Sequence, residues 1–255
     1  MKRNNNILVT GATGAVGSEV VKQLSAVGNA NIKAAVHSTS NIDKIKSQGI
    51  DAIKMDYNNP ETLHEGFKGV DKLFLLTPFQ SNMVDLSSTL VKEAKRTEIN
   101  HIVRLSAIGA DAQPRITVGR LHRQVEKLIE ESGIPYTFLC PNAYMQNFIN
   151  FYGPTIKNQN AFYLSAGGGK VSFVDVHDVA AVAVKSLTDS DRYTGIAYDI
   201  SGQEALSYEQ AAEILSGEIG RKIKYVNISE NDYRQGMKDK AWMSCLSIRR
   251  LSCLQ

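Results

Sequence analysis

The sequence of 255 residues is 43% hydrophobic and 22% charged, and its formal net charge is +3. A chain of this length and hydrophobic content can bury one sizeable core, while so weak a net charge disfavours a nucleic-acid partner. No apolar run approaches the roughly 18 to 20 residues that a membrane-spanning helix needs, so we expect no insertion into a membrane.

Short β-branched segments alternate with amphipathic segments in the first half of the chain, which predicts βαβ units and a parallel sheet. Six apolar segments are predicted as strands, at residues 7–10, 32–36, 52–55, 72–76, 101–105 and 136–139. Three segments with apolar residues at helical spacing are predicted as helices, at residues 15–26, 82–96 and 118–131. The fold class is therefore α/β, with the doubly wound parallel sheet of a Rossmann fold.

The pattern becomes looser from residue 143 onward. It predicts strands at residues 171–174 and 198–200, and helices at residues 176–187, 208–216 and 232–240. We interpret residues 1–142 as one domain and residues 143–255 as a smaller α/β region, some of whose elements return to the first sheet.

A glycine-rich segment directly follows the first predicted strand and opens the first predicted helix. Gly11 permits a tight turn, Gly14 allows a pyrophosphate to approach the backbone, and Gly17 allows the helix to pack closely on the sheet. The N–H groups at the start of the helix would bind the phosphates. This context predicts a dinucleotide site formed by Gly11, Thr13, Gly14, Ala15, Val16 and Gly17. A bare glycine turn is the alternative.

The end of the second predicted strand favours NADP(H) over NAD(H). An NAD site usually carries Asp or Glu there to hold the ribose 2′-hydroxyl, whereas this chain has His37 and Ser38. A carboxylate would repel the 2′-phosphate of NADP, and these two side chains could accept it. The arginine that often holds this phosphate is also missing, and a solvated loop is the alternative for His37.

Three more residues follow predicted strands at the carboxyl edge of the sheet, where ligands bind in folds of this class. Asp56 is predicted to meet the adenine amine, although a helix N-cap or a turn before Pro60 fits equally well. Thr77 and Pro78 are predicted to line the cofactor beside it.

Four later segments complete a resemblance to a known family. They are Leu105-Ser-Ala-Ile-Gly-Ala, His122-x-x-x-Glu126, Ser132-Gly-Ile-Pro-Tyr-Thr-Phe-Leu and Pro141-Asn-Ala-Tyr-Met-Gln-Asn. With the glycine segment, they resemble the NmrA-like group of atypical extended short-chain dehydrogenases/reductases, from residue 7 to about residue 235. The resemblance implies either an NAD(P)H-dependent reductase of quinones or dyes, or an inactive regulator that senses NADP.

The resemblance also indicates which catalytic groups this chain lacks. The wider superfamily uses a Tyr-x-x-x-Lys pair for proton exchange with a carbonyl substrate, and Val118 and His122 stand at those two positions. Ser106 stands where the superfamily places its substrate-orienting serine. His122 is expected to bind the nicotinamide ribose or to supply a proton. The alternatives are a pairing of His122 with Glu126 and a strand-end cap for Ser106.

The Pro-Asn segment is expected, from the resemblance, to bring Asn142 and Tyr144 near the nicotinamide. Cys140 replaces an arginine that the family often has before this proline. Met145, Phe148 and Phe151 could line an apolar pocket for a planar acceptor, but such a stripe is more often part of a core.

The hypothesis we favour is an NAD(P)H-dependent reductase that passes hydride to a small planar acceptor such as a quinone. The alternative is a non-catalytic NADP sensor that docks a regulatory protein. Three cysteines without metal-ligand spacing, Cys140, Cys245 and Cys253, predict reduced thiols in the cytoplasm and no metal site. Residues 241–255 have a Ser, Cys, Leu and Arg bias and little helical order, which indicates either an aberrant, truncated tail or an unusual native terminus.

Overall fold

The computed structural model describes residues 5–110 and 117–238. Their strands are β1 Asn6–Val9, β2 Asn31–Val36, β3 Asp51–Lys54, β4 Lys72–Leu75, β5 His101–Leu105, β6 Tyr136–Pro141, β7 Ala161–Leu164, β8 Lys170–Val171, β9 Ile196–Ile200, β10 Leu206–Ser207 and β11 Lys224–Asn227. Their helices are α1 Ala15–Val27, α2 Ser40–Lys46, α3 Pro60–Phe67, α4 Met83–Arg96, α5 Thr117–Ser132, α6 Asn147–Asn150, α7 Gly153–Gln159, α8 Val176–Thr188, α9 Ser190–Tyr193, α10 Tyr208–Ile219 and α11 Glu230–Lys238.

The chain divides into two compact units, each made of two segments. The first unit comprises Met1–Pro141 and Val176–Ile200, and the second comprises Asn142–Asp175 and Ser201–Gln255. Within the region that we predicted from residue 143 onward, α8 and β9 therefore return to the first unit.

The first unit contains a seven-stranded sheet in the order β3-β2-β1-β4-β5-β6-β9. All of its pairings are parallel, which confirms the predicted doubly wound α/β fold. The strand order reverses between β1 and β4, which is where folds of this class bind ligands. All six strands predicted in the first 142 residues are present in this sheet, and β9 is its seventh strand.

The core of the first unit is mainly aliphatic. In β1, Ile7, Leu8 and Val9 are fully buried, as expected for a strand covered by helices on both faces. Helix α1 buries an apolar stripe of Val16, Gly17, Val20, Val21 and Leu24, and it ends at Gly28, whose φ of 68° lies in the left-handed region.

The second unit has an aromatic core and two small sheets. Strand β8 pairs with β10 in antiparallel fashion, and β7 pairs with β11 in parallel. Around them pack Phe148, Phe162, Phe173, Tyr152, Tyr208 and Tyr225. Such ring pairs stabilise a small core beyond the area that they bury.

The predicted strand at residues 171–174 is shorter than expected. Only Lys170–Val171 pairs as a strand, and Val174 makes a single bridge to Tyr144. The Ser172 carbonyl accepts from the N–H of Gly202 at 3.3 Å, and Phe173 is buried against other rings. These contacts to a loop end the ladder early.

Two sequence predictions fall outside the residues that the structure describes. They are the nature of the tail at 241–255 and the state of Cys245 and Cys253. Among the helices described, none has the length and apolar character to cross a membrane.

Candidate functional site

The glycine segment forms a tight loop that is fixed to the neighbouring strand. Thr10, just after β1, is buried, and its hydroxyl donates to the carbonyls of Phe74 and Leu76, both at 3.0 Å. The same hydroxyl accepts from the N–H of Leu76 at 2.7 Å. These bonds hold the end of β1 against the end of β4, at the position where the strand order reverses.

Two of the loop glycines cannot carry a side chain without strain or a shift of their neighbours. Gly11 has a φ of +64°, and a Cβ there would lie 2.7 Å from the Leu76 side chain. A Cβ on Gly17 would collide with the Gly11 carbonyl oxygen and lie 2.7 Å from its carbon. The start of α1 therefore packs directly on the loop, as the fingerprint predicts.

The amino end of α1 is suited to an anion. Gly14 is its N-cap, and neither a side-chain cap nor an acidic residue occurs in its first turn, all of which is described. Thr13, Gly14 and Ala15 are exposed. Helix N–H groups without internal partners, at the positive end of the helix dipole, attract phosphate. The Gly14 N–H itself donates to the Gly11 carbonyl at 2.9 Å, so Gly14 shapes the loop.

Sequence reasoning missed Tyr57, which lies three residues beyond β3. Burial raises the pKa of its phenol, and the nearby Thr10 side chain and Gly11 backbone oppose this shift only in part. The ring packs against the core of the first unit. An aromatic residue after a short strand carries no motif signal, so only the fold reveals this contact.

The loop after β2 leaves its polar side chains accessible. His37 is exposed, and Ser38 is half-buried with its hydroxyl 2.7 Å from that of Ser40. Neither side chain pairs with a carboxylate among the described residues. The loop therefore offers hydroxyls and an imidazole, as we predicted for a 2′-phosphate site, while its ligand contacts stay a prediction.

Asp56 has a local structural role. Its Oδ1 accepts from the backbone N–H of Asn58 at 3.0 Å, forming a turn before α3. The N-cap of α3 is instead Asn59, whose side chain accepts from the N–H of Glu61. Of the two alternatives to adenine binding, the turn is present and the N-cap is wrong. One carboxylate oxygen can still accept from a ligand.

Thr77 is buried, and its hydroxyl lies 3.1 Å from that of Ser87 in α4. Its side chain thus links the strand end to this helix, which leaves the backbone of Thr77 and the half-buried ring of Pro78 as the groups for a cofactor contact.

Ser106 follows β5 and is buried, with its hydroxyl 2.5 Å from Oε1 of Glu126. The other oxygen of Glu126 accepts from Arg123 at 3.2 Å. The predicted alternative in which Glu126 pairs with His122 is wrong, because the carboxylate binds the serine and the arginine, and no hydrogen bond joins it to His122 within the described part of the chain. The Ser106 proton is committed to Glu126, so towards a ligand this hydroxyl acts as an acceptor.

His122 in α5 is a neutral imidazole. Burial, followed by the positive charge of Arg104, lowers its pKa to about 3. Its ring stacks on that of Phe79 with centroids 6.5 Å apart. Its Nδ1 is buried and has no hydrogen-bond partner within the described part of the chain. Since a buried polar atom without a partner is costly, this nitrogen is suited to a ligand.

Arg104 is a buried cation in β5 that sequence reasoning did not single out. It is 1% exposed, and its guanidinium donates to the backbone carbonyls of Leu75 and Leu105. The sequence does not reveal this burial, because an arginine within a short apolar segment is expected to reach the surface.

The second unit contains Asn142, Tyr144 and the predicted apolar stripe. Asn142 is half-buried, and its side chain accepts from the N–H of Ala143 at 2.8 Å. Phe148 packs into the aromatic core with Phe162 and Phe173. The remaining apolar side chains of this segment are exposed: Met145, Phe151 and, unpredicted, Ile149, which is 75% exposed.

No group of three or more His, Cys, Asp or Glu residues that could hold a metal occurs among residues 5–110 and 117–238.

A doubly wound sheet whose reversal point carries a glycine loop and an uncapped helix start defines a dinucleotide-binding protein of the Rossmann type. Residues 3–248 match the NmrA-like family. The chain belongs to this family, as the segments at residues 105–147 indicated.

Relatives of known activity share most of the chain. It is 35% identical over 231 residues to NAD(P)H azoreductase of Xenophilus azovorans, which covers 91% of this chain and 80% of the relative. Its fold is similar to that of Citrobacter sp. triphenylmethane reductase complexed with NADP(H), with a TM-score of 0.80, 28% identity and coverage of 91% and 82%. The NADPH-dependent quinone oxidoreductase of Escherichia coli, complexed with NADPH, gives a TM-score of 0.81 at 28% identity, with the same coverage.

Proposed function

We propose that this protein is an NAD(P)H-dependent reductase that passes hydride to a small planar acceptor such as a quinone or a dye. The observation that carries the proposal is the glycine loop at the uncapped start of α1, which cannot accept a Cβ at Gly17 and offers N–H groups to a pyrophosphate. The relatives named above supply the acceptor class.

NADP(H) fits the loop after β2 better than NAD(H) does. His37 is exposed, the hydroxyls of Ser38 and Ser40 lie 2.7 Å apart, and the sequence has no Asp or Glu from residue 36 to residue 42 that would repel a 2′-phosphate. Thr13, Ala15, Val16 and Gly17 would hold the pyrophosphate, and Asp56, Thr77 and Pro78 would line the adenine side. Asn142 and Tyr144 would meet the nicotinamide.

When bound, the reduced nicotinamide supplies the hydride. The protein's residues would orient the two reactants. With a pKa of about 3, His122 is not an imidazolium near neutral pH and so does not act as a general acid, and we assign it a hydrogen bond to the cofactor ribose. Ser106 would act as an acceptor. A quinone that receives a hydride needs one more proton, which it can take from solvent.

The exposed apolar side chains of the second unit support a planar acceptor. Met145, Ile149 and Phe151 offer apolar surface on one short segment, and contiguous exposed apolar surface commonly marks a binding site. A cytoplasmic location and the absence of a nucleic-acid partner stay predictions.

The test is a fluorescence titration with NADPH and NADH, followed by turnover with a panel of quinones, azo dyes and triphenylmethane dyes. We expect tighter binding of NADPH and oxidation of the bound cofactor by at least one acceptor. Binding without turnover on any acceptor would favour the NADP sensor instead, and failure to bind either dinucleotide would refute the site.

A further inference from the structure

A chain of polar contacts on α5 reaches the end of β5. The guanidinium of Arg123 donates to both carboxylate oxygens of Glu130, at 2.8 and 3.1 Å, and to Oε2 of Glu126 at 3.2 Å. The other oxygen of Glu126 accepts from the hydroxyl of Ser106 at 2.5 Å. The exposed fraction of the side chain falls from 28% at Arg123 to 3% at Glu126. The chain therefore connects the surface of the helix to a buried serine.

The fold does not need the carboxylate of Glu126 to hold α5 in place. Val125 and Ile129 of the same helix are fully buried and belong to the apolar core of the first unit. A buried carboxylate must be paired to offset the loss of its hydration, and an apolar residue at such a position is often as stable. The burial of Glu126 is therefore better explained by its contact with Ser106 than by packing.

The contacts of Glu126 fix the direction of the Ser106 O–H. A serine hydroxyl can rotate, and it can either donate or accept a hydrogen bond. A guanidinium only donates and an ionised carboxylate only accepts. Because Oε2 of Glu126 accepts from Arg123 and Oε1 accepts from Ser106, the proton of the serine lies on the side of Glu126. The Ser106 oxygen therefore offers only its lone pairs to a ligand.

Ser106 stands at the carboxyl edge of the sheet. It directly follows β5, and its N–H donates to the carbonyl of Leu139 in β6 at 2.7 Å. His122 lies one helical turn before Glu126 on the same face of α5, and its buried Nδ1 has no hydrogen-bond partner within the described residues. The part of α5 beside Ser106 therefore carries a second atom that is suited to a ligand.

We propose that Glu126 is a positioning residue that fixes Ser106 as a hydrogen-bond acceptor, and that the site therefore favours planar acceptors that carry an N–H or O–H group. The proposal rests on the proposed reductase function, in which Ser106 meets the bound acceptor, and it narrows the substrate class. An amino group on a quinone ring can donate to the Ser106 oxygen. The carbonyl oxygens of a quinone without such a group gain nothing from an oxygen that cannot donate.

The test compares an amino-substituted naphthoquinone with the methyl-substituted naphthoquinone of the same ring position. The two substituents are similar in size, and each kcat/KM is divided by the uncatalysed rate with NADPH to remove the difference in intrinsic reactivity. One hydrogen bond corresponds to a roughly two- to twelve-fold change in kcat/KM, so we expect the wild-type protein to favour the aminoquinone by about five-fold. The absence of this preference in the wild type, which requires no variant to fold, would overturn the proposal.

Glu126→Gln should reverse the direction of the Ser106 O–H. Because Arg123 can only donate, the amide oxygen would face it, and the amide N–H group would then donate to the Ser106 oxygen. The preference for the aminoquinone should therefore be lost. The matched control is Glu131→Gln, which removes a negative charge from an exposed position of the same helix and should keep the preference. An unchanged preference in Glu126→Gln would contradict the proposal.

Ser106→Ala separates positioning from general damage to the site. This variant should also lose the preference for the aminoquinone, and the addition of Glu126→Gln to it should change the preference no further. A further change in the double variant would mean that Glu126 acts other than through Ser106, which would overturn the proposal. Wild-type protein that oxidises NADPH with no planar acceptor would refute the proposed function itself, which is a different result from turnover without a preference.

Discussion

A histidine lies near each edge of the sheet in the first unit, the buried His101 in β5 and the half-buried His122 in α5, and the two differ in their hydrogen bonds. At the amino edge, His101 begins β5, and its Nε2 lies 2.9 Å from the hydroxyl of Thr137, which donates in turn to the Tyr193 carbonyl. At the carboxyl edge, the Nδ1 of His122 has no partner among the described residues. Burial keeps both imidazoles neutral.

The difference separates structure from function. A buried polar group that serves only the fold is satisfied within the fold, as His101 is. A group that serves a ligand keeps an unused hydrogen-bonding atom, as the Nδ1 of His122 and the N–H groups at the start of α1 do. We therefore propose that the carboxyl edge is the functional one.

The largest effect is expected at the carboxyl edge, from Gly17→Ala. The new Cβ would collide with the Gly11 backbone, which must then move. Overpacking against backbone costs about 1 to 3 kcal/mol, so we expect NADPH binding to weaken by about 30-fold. Fluorescence titration measures it.

The matched control for this change is Gly217→Ala in α10, where a Cβ meets nothing within 4 Å. That variant should bind NADPH normally and gain up to about 1 kcal/mol of stability, because alanine is the better helix former. Normal NADPH binding by Gly17→Ala would contradict our account of the loop.

The next effect is expected at the amino edge, as a loss of stability in acid. Burial, and then the charge of Lys72, lowers the pKa of His101 to about 4 from an ordinary value of 6.5. As pH falls from 6.5 towards 4, His101 binds a proton in the unfolded chain but stays neutral in the folded protein. The free energy of unfolding should therefore fall, by about 2 kcal/mol for this group.

Urea unfolding of the wild type and of His101→Asn at pH 7.5 and 4.5 measures this loss. His122 contributes equally to both proteins, so their difference reports on His101 alone. Parallel losses in the two proteins would show that His101 does not titrate in this way.

A smaller effect is expected from His122. Because its pKa is about 3, the group stays neutral above pH 5, so it should add no ionisation to kcat/KM between pH 5 and 8. His122→Gln, which keeps a neutral hydrogen-bonding group, should retain activity within about three-fold, whereas His122→Phe should lose about ten-fold. Steady-state rates of the wild type and the two variants across this pH range measure these effects. A change in kcat/KM with a midpoint near pH 6.5 that is lost in His122→Gln would show that His122 acts as an acid.

The smallest effect is expected from His37, which is exposed after β2. One solvent-exposed contact to a phosphate contributes about 0.4 to 1 kcal/mol, so His37→Ala should reduce the preference for NADPH over NADH by about two- to five-fold. The ratio of the two Kd values measures it. A preference that is unchanged would place the 2′-phosphate elsewhere.

The sequence predicted those parts of the molecule that depend on local pattern. Apolar strands such as 7–10 and the glycine spacing around Gly14 are local signals, and the parallel sheet follows from their alternation with helices. The short α2 and α3, with few apolar residues, gave no such signal. Strand β9 was predicted in part, at residues 198–200, but its place beside β6 is a long-range contact that periodicity does not encode.

The candidate site was predictable only where a motif exists. The glycine loop could be found because its function constrains neighbouring residues. Tyr57, Arg104 and the bond between Ser106 and Glu126 join elements that are distant in sequence, so their roles depend on packing that single-sequence reasoning does not see. The pairing that we considered for His122 and Glu126 was wrong. Helical spacing brings two side chains close together, but it does not determine which group binds the carboxylate.

The late arrival of β9 has a consequence for synthesis on the ribosome. Strand β6 ends at Pro141, and the strand that covers its open side begins only at Ile196. Translation at about 5 to 20 residues per second leaves β6 as a bare edge for several seconds. An uncovered strand edge invites wrong pairing, so the nascent chain is most prone to aggregate while residues 142–195 are being made.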